Sequence, residues 1–384
     1  MGDRRLASGG RGRRLADLGL GPERGQPYRL AGRGSGGAVA EKWLLDILRL
    51  PSGASVGFVT GATVANFVGL AAARGEVLRR VGWDVERQGL FGAPIVNLLI
   101  GEEAHATVFS ALQFLGFGHD RPVKIAVDSQ GAMRPEALEQ ALADCAGPTI
   151  VITQAGQINT GAFDPHAALV PLAHAKGAWV HVDGAFGLWA RARAPQAPLA
   201  EGVELADSWA TDGHKWLQTP YDCGYAIVRD PEAHRRAMVI AASYLPSVGE
   251  GERDPTHFVP ELSRRARGFA TWAMLRHLGR AGIAEMVDRH CRAARLIAER
   301  VVAEPGIAVL NEVVLNQAIL RFGGDDERTI ATIARLQADG AAYAGGGKWR
   351  GRWVMRISVS GWPTKLQDAA RTADAIVAAW RASK

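Results

Sequence analysis

Cysteine is scarce: Cys145, Cys223 and Cys291 are the three in a chain of 384 residues. So few thiols build no disulfide framework, and their spacing matches no metal site. A reduced, cytoplasmic protein without a structural metal is therefore expected. Long apolar runs are missing as well. Stretches such as Ile95–Ile100 are too short to cross a bilayer, and no apolar segment follows the N-terminal arginines as a secretory leader would require. No membrane association is expected. The third absence is a basic face on the folded part. The net charge is +6, but residues 1–37 hold eight arginines against Asp3, Asp17 and Glu23, which leaves the remainder at +1. The basicity belongs to a tail, and nucleic acid is not an expected partner.

With 47% hydrophobic residues the chain can bury a large core. Residues 1–37, with eleven glycines and no hydrophobic period, read as a disordered tail. Structure is expected from near Ala38, where Trp43, Leu44, Ile47 and Leu48 line one face of a helix that Pro51-Ser52-Gly53 ends. Apolar runs then suggest strands at Ile95–Ile100, Val123–Val127, Thr149–Thr153, Ala178–Asp183, Ser208–Thr211 and Gly224–Val228. Helical stretches such as Ala62–Val81 and Pro135–Ala143 lie between them. That alternation predicts an α/β domain over 38–300, a mostly parallel sheet with helices on both faces. Leu245–Pro260 reads as a loop, and helices are expected from Glu261 to about Val302. A small α+β domain over 301–384 follows, with strands near Ile307–Leu310, Gln317–Phe322 and Val354–Ser360 and a closing helix from Lys365.

Two motifs stand together. His181-Val182-Asp183-Gly184-Ala185 ends an apolar strand, and Asp212-Gly213-His214-Lys215-Trp216 places a lysine 32 residues after Asp183. Alone, the first reads as a capped turn and the second as a surface lysine. Together, in strand context, they suit pyridoxal 5′-phosphate (PLP). Its ring nitrogen needs a carboxylate and its aldehyde needs a lysine amine for a Schiff base. Thr60-Gly61-Ala62-Thr63-Val64-Ala65-Asn66 opens a helix whose free N–H groups and dipole favour a phosphate, Thr63 adding a hydroxyl, although an ordinary capped helix would look similar. No Gly-Lys-Ser/Thr follows, which excludes a Walker loop. Gly101-Glu102-Glu103-Ala104-His105 sets a histidine after a strand, where it can cover a flat ring or simply fill a turn.

Taken together and in this order, the motifs resemble the group II PLP-dependent amino-acid decarboxylases, the family of aromatic-amino-acid, glutamate and histidine decarboxylases. The resemblance runs from about Ala38 to the C-terminus and implies the PLP-dependent transferase-like fold, fold type I. It puts Gly61, Ala62 and Thr63 on the cofactor phosphate, His105 over the ring, and Asp183 on the ring nitrogen with Ala185 beside it. It makes Lys215 the Schiff-base lysine, with His214 on the phosphate side. Tyr244, 29 residues after Lys215, matches a loop tyrosine that protonates Cα once CO2 has left. Leu262–Arg267 with Trp272 resembles the helix after that loop. A homodimer and an amino-acid substrate are implied.

The chain also departs from the family. Gly156-Gln157-Ile158-Asn159-Thr160 stands where many relatives have Gly-Thr-Thr, so Asn159 and Gln157 are the candidates for the cofactor's phenolic oxygen, and which of Gln157, Asn159 or Thr160 contacts the cofactor stays open. Asp212 replaces a phosphate-side asparagine. Residues 1–37 do not resemble the N-terminal segment with which relatives clasp their partner, and that segment is expected to be missing here. Decarboxylation is the leading expectation. Aldehyde-forming oxidative deamination, transamination, carbon–carbon lyase chemistry and an impaired PLP-binding homologue are the alternatives. Arg356 is a candidate contact for a carboxylate or an interface.

Overall fold

The structure is a computed structural model that describes residues 35–240 and 254–383. Helix α1 (Ser35–Ile47) begins three residues ahead of the expected start and buries Leu44, Leu45 and Ile47. The main sheet has seven strands. β1 (Ser55–Val59) precedes α2 (Ala62–Arg79), β2 (Asn97–Gly101), α3 (Ala106–Phe114) and β3 (Val123–Ile125). Then come α4 (Pro135–Ala143), β4 (Thr149–Gln154), α5 (His166–Ala175), β5 (Trp179–Asp183), β6 (Ser208–Asp212), β7 (Gly224–Val228) and α6 (Pro231–Met238).

The strand order is β1-β7-β6-β5-β4-β2-β3. From β3 through β6 neighbours are parallel, whereas β7 runs antiparallel to both β6 and β1. Every residue of β4, β5, β6 and β7 is buried, as expected for strands covered on both faces. Helix α2 is buried at 13 of its 18 positions. A helix buried over so much of its circumference lies inside, and it packs on the sheet with its own Val68, Leu70 and Val77 in the core. Each such side chain contributes about 1.5–3 kcal/mol by burial.

Strand β1 escapes a reading by local pattern. Its five residues are interrupted by Gly57 and follow a turn, yet they pair with β7 in full register from Ser55↔Val228 to Val59↔Gly224. Helix α7 (Arg267–Val301) starts six residues later than the expected helical region and breaks at Gly279, whose φ is 62°. It leads to a second, wholly antiparallel sheet of four strands.

In this sheet β8 (Ile307–Val309) and β9 (Gln317–Phe322) fall where expected. Helix α8 (Asp326–Asp339) and strand β10 (Gly345–Trp349) add to the reading, followed by β11 (Arg352–Ser358) and α9 (Leu366–Ala382). β10 is Gly-Gly-Gly-Lys-Trp, without alternation. It becomes a strand because Arg350 (φ 49°) and Gly351 (φ 75°) form a left-handed two-residue turn that folds it onto β11. No helix of the described residues is long and apolar enough to cross a membrane.

Candidate active site

The segments singled out in the sequence leave the same edge of the main sheet. β2 runs out to Glu103 and His105, β4 to Gln157–Thr160, β5 to Asp183 and Ala185, and β6 to Asp212–Lys215. The first three are mutually parallel with β6, so these are carboxyl ends, where α/β sheets bind ligands.

The N-terminus of α2 closes one side. Gly61 there is held against β7: a Cβ on Gly224 would stand 2.6 Å from Gly61 Cα, so this approach needs glycine. Asp212, almost wholly buried, ties the corner together. Its Oδ1 accepts from Ala62 N at 2.6 Å, and its Oδ2 lies 2.9 Å from Lys215 Nζ. His214 Nε2 is 3.7 Å from the same carboxylate. The first-turn N–H groups of Thr63 and Val64 have no intrahelical acceptor.

Asp183 sits at the end of β5 at 6% exposure, and its Oδ1 accepts from Ala185 N at 3.2 Å. Burial raises the pKa of its carboxyl, while His105 and Lys215 are near enough to pull it back. Behind it runs a hydrogen-bond chain that the sequence reading did not assign. Trp179 Nε1 donates to Ser208 Oγ (2.9 Å), Ser208 Oγ meets His181 Nδ1 (2.8 Å), and His181 Nε2 meets Asn66 Oδ1 (2.9 Å). Because Asn66 Oδ1 can only accept, His181 carries its proton on Nε2 and the serine hydroxyl donates to Nδ1. Asn66 turns its amide toward Asp183, which favours the carboxylate, but Nδ2 itself closes no hydrogen bond among the described residues. Gly69 of α2 makes room for this chain, since a Cβ there would lie 2.6 Å from His181 Cε1. The local signal was a fully buried polar Asn66 among the apolar residues of the first turns of the helix.

His181 is fully buried, and burial pushes its pKa from 6.5 down to about 3. The unfolded chain takes up that proton near the ordinary value, so it binds more protons than the folded one as pH falls. Stability is thus lost from about pH 6.5 downward until about pH 3. His181→Gln is expected to flatten the pH dependence between pH 7 and 5 by about 1 kcal/mol per pH unit. Urea-unfolding midpoints between pH 7 and 5 measure this, and an unchanged slope contradicts the assignment.

His105 caps helix α3, its Nδ1 meeting Thr107 Oγ1 at 2.8 Å and Thr107 N at 3.3 Å. Burial lowers its pKa, Asp183 and Asp212 oppose this, and Lys215 and Arg356 add to it, so one histidine lies within electrostatic range of all four groups. Of the three candidate cofactor contacts in 157–160, two side chains are already occupied. Gln157 Oε1 accepts from Asn159 N (2.6 Å) and Thr160 N (2.9 Å), while Thr160 Oγ1 donates to Gln130 O (2.6 Å). Arg356 reaches this loop from β11, donating to Ile158 O at 3.2 Å with its Nε buried and unbonded.

Lys215 lies in a single wide, π-type helical turn, Gly213–Leu217, that ends with Gln218 in a left-handed conformation (φ 59°). Trp216 next to it anchors the turn in the core, donating to His290 Nδ1 at 2.9 Å, and His290 Nε2 in turn meets Gly361 O at 2.9 Å. Downstream, Tyr221 stacks on His214 at 4.3 Å, and Arg267 holds Asp222 through its carbonyl (3.0 Å) and carboxylate (2.8 Å). Tyr244 lies outside the described residues.

These features fit PLP. A buried carboxylate backed by an unpaired amide, a histidine and a lysine within electrostatic range of it, and a helix N-terminus narrowed by two glycines lie at one end of the sheet. Comparisons with known proteins agree. The pyridoxal-dependent decarboxylase conserved domain matches residues 38–322. Aromatic-L-amino-acid decarboxylase of Drosophila lebanonensis is 28% identical over 345 residues, covering 85% of this chain and 84% of that protein. L-2,4-diaminobutyrate decarboxylase of Rhizobium meliloti (strain 1021) is 31% identical over 268 residues, covering 67% of this chain but 51% of that protein. The crystal structure of Oryza sativa TDC with PLP and tryptamine superimposes with a TM-score of 0.84 at 24% identity, over 91% of this chain and 76% of the other. The fold and cofactor class are therefore those of PLP-dependent carboxy-lyases. The chain belongs to the pyridoxal-dependent decarboxylase family.

Proposed function

We propose that this chain converts an L-amino acid to its amine and CO2, with PLP held as a Schiff base on Lys215. The observation that carries the reading is the electrostatic proximity of Asp183, His105 and Lys215 at one sheet edge, within a family of decarboxylases. When bound, PLP supplies an electron sink for the pair left behind as the carboxylate departs.

The chain's own groups do the rest. Thr63, the first-turn N–H groups of α2 and His214 would hold the phosphate, with Asp212 bracing Ala62 beneath it and Gly61 leaving room. His105 would cover the ring and Ala185 would pack beside it. Asp183 would hold a proton on the ring nitrogen. Asn159, whose side chain is not engaged in the turn, is the choice for the phenolic oxygen. Arg356 would face the substrate carboxylate, a reading supported by its buried, unbonded Nε and its electrostatic effect on His105. Tyr244 would deliver the proton to Cα, as the family resemblance implies and as suits a phenol acting as a general acid.

We infer a large cofactor domain at 38–300, a small domain at 301–384 after the 1–37 tail, and a cytoplasmic homodimer, on the strength of the family resemblance. The test is reconstitution with PLP followed by a screen of amino acids for CO2 and amine. Amine formation from one class of substrate is expected; bound PLP with no turnover across the panel would reject the activity. In the same assay Tyr244→Phe is expected to keep the cofactor but lower the amine yield about a hundredfold, the usual contribution of one positioned acid. An unchanged yield moves the proton donor elsewhere.

A further inference from the structure

The loop 157–160 is gripped from the C-terminal sheet at three points. Arg356 holds Ile158 O, and Asn311 Nδ2 donates to Thr160 O at 2.9 Å. The third grip is indirect and runs through Glu103. Its Oε2 accepts from Trp349 Nε1 at 2.9 Å and from Gln157 Nε2 at 3.4 Å, and its Oε1 accepts from Arg350 Nε at 2.6 Å. Arg350 lies over the Trp349 ring, 4.9 Å from its centroid, and also donates to Asp128 O. The tip of the β10–β11 hairpin thus closes on a single carboxylate of the main sheet.

That carboxylate stands at a junction. Glu103 is two residues from His105, the cap of α3. Through Gln157 it also bears on the turn that presents Asn159, because the other end of the Gln157 amide accepts from Asn159 N and Thr160 N. One side chain therefore joins the histidine side and the amide side of the cofactor space to a hairpin 246 residues further along the chain.

We propose that Glu103 is a positioning residue, clamped by Trp349 and Arg350, that sets Asn159 and His105 against the cofactor. The proposal rests on the reading that Lys215 carries PLP. Glutamate is required for a stated reason: three donors converge on two acceptor oxygens. In Glu103→Gln one of those oxygens becomes an NH2 group and sets donor against donor. Trp349→Phe removes one donor while keeping most of the ring volume.

The experiment uses the full chain reconstituted with PLP. Two quantities are read: PLP affinity, and the pH titration of the visible absorption of the lysine-bound cofactor, which reports the hydrogen bond to its phenolic oxygen. Glu103→Gln is expected to weaken PLP binding about tenfold, the loss of one charge-assisted hydrogen bond, and to shift the titration midpoint by about half a pH unit or more. Trp349→Phe is expected to shift it in the same direction by less. Arg381→Gln, which breaks the exposed Arg381–Glu304 pair far from the site, serves as the control and should leave both readings unchanged. Wild-type affinity and midpoint in both Glu103→Gln and Trp349→Phe would overturn the proposal. A wild-type chain that never forms lysine-bound PLP would instead reject the reading of Lys215, so the two failures are distinct. If Glu103→Gln does not fold, Trp349→Phe alone decides.

Discussion

Lys215→Ala is expected to abolish covalent PLP and to lower turnover at least about a thousandfold, ~4 kcal/mol of barrier. Among the described residues the nucleophilic amine in the corner is Lys215 Nζ, held 2.9 Å from Asp212 on a turn that Trp216 anchors in the core. Alanine removes the amine without disturbing that anchor. Asp212 keeps its hydrogen bond from Ala62 N, so its carboxylate is not orphaned and the fold should survive. Borohydride reduction followed by mass measurement reads the covalent link directly. A lysine-bound adduct persisting in the alanine variant would show that another amine carries the cofactor.

The second large effect concerns Asp183→Asn, which preserves shape but cannot keep a proton on a ring nitrogen. Turnover is expected to fall about a hundredfold or more, since a charge aimed at the reacting system is replaced by a neutral amide. Stability should move the other way. Burial raises the pKa of this carboxyl above that of the unfolded chain, so the ionised form costs folding free energy, and that cost grows as pH rises past the ordinary aspartate range. Asparagine removes it. Asp183→Asn is therefore expected to melt no lower than wild type at neutral pH. A variant with wild-type turnover, or one that melts much earlier, would contradict the role given to this group.

Much of the fold could be read from contiguous residues. Thr149–Gln154 and Trp179–Asp183 are short apolar runs ended by polar residues, and burial on both faces leaves that mark wherever it occurs. Weaker elements were not legible in the same way. β1 is a strand because β7 lies beside it, and β10 because a turn folds it onto β11; neither Ser55–Val59 nor Gly345–Trp349 has a period of its own.

The same division holds for the site. Lys215, Asp183, His105 and the Gly61 turn could be proposed from the sequence because short motifs in a set order single them out, and the fold brings them to one end of the main sheet. That Gln157 and Thr160 spend their side chains within and beside the turn needed coordinates. Asn66, His181 and Glu103 gained roles only through partners on other elements. Sequence patterns record what a residue's neighbours along the chain require of it. A carboxylate that meets a tryptophan 246 positions away leaves no such record, because only the packing of two sheets brings them within hydrogen-bond reach.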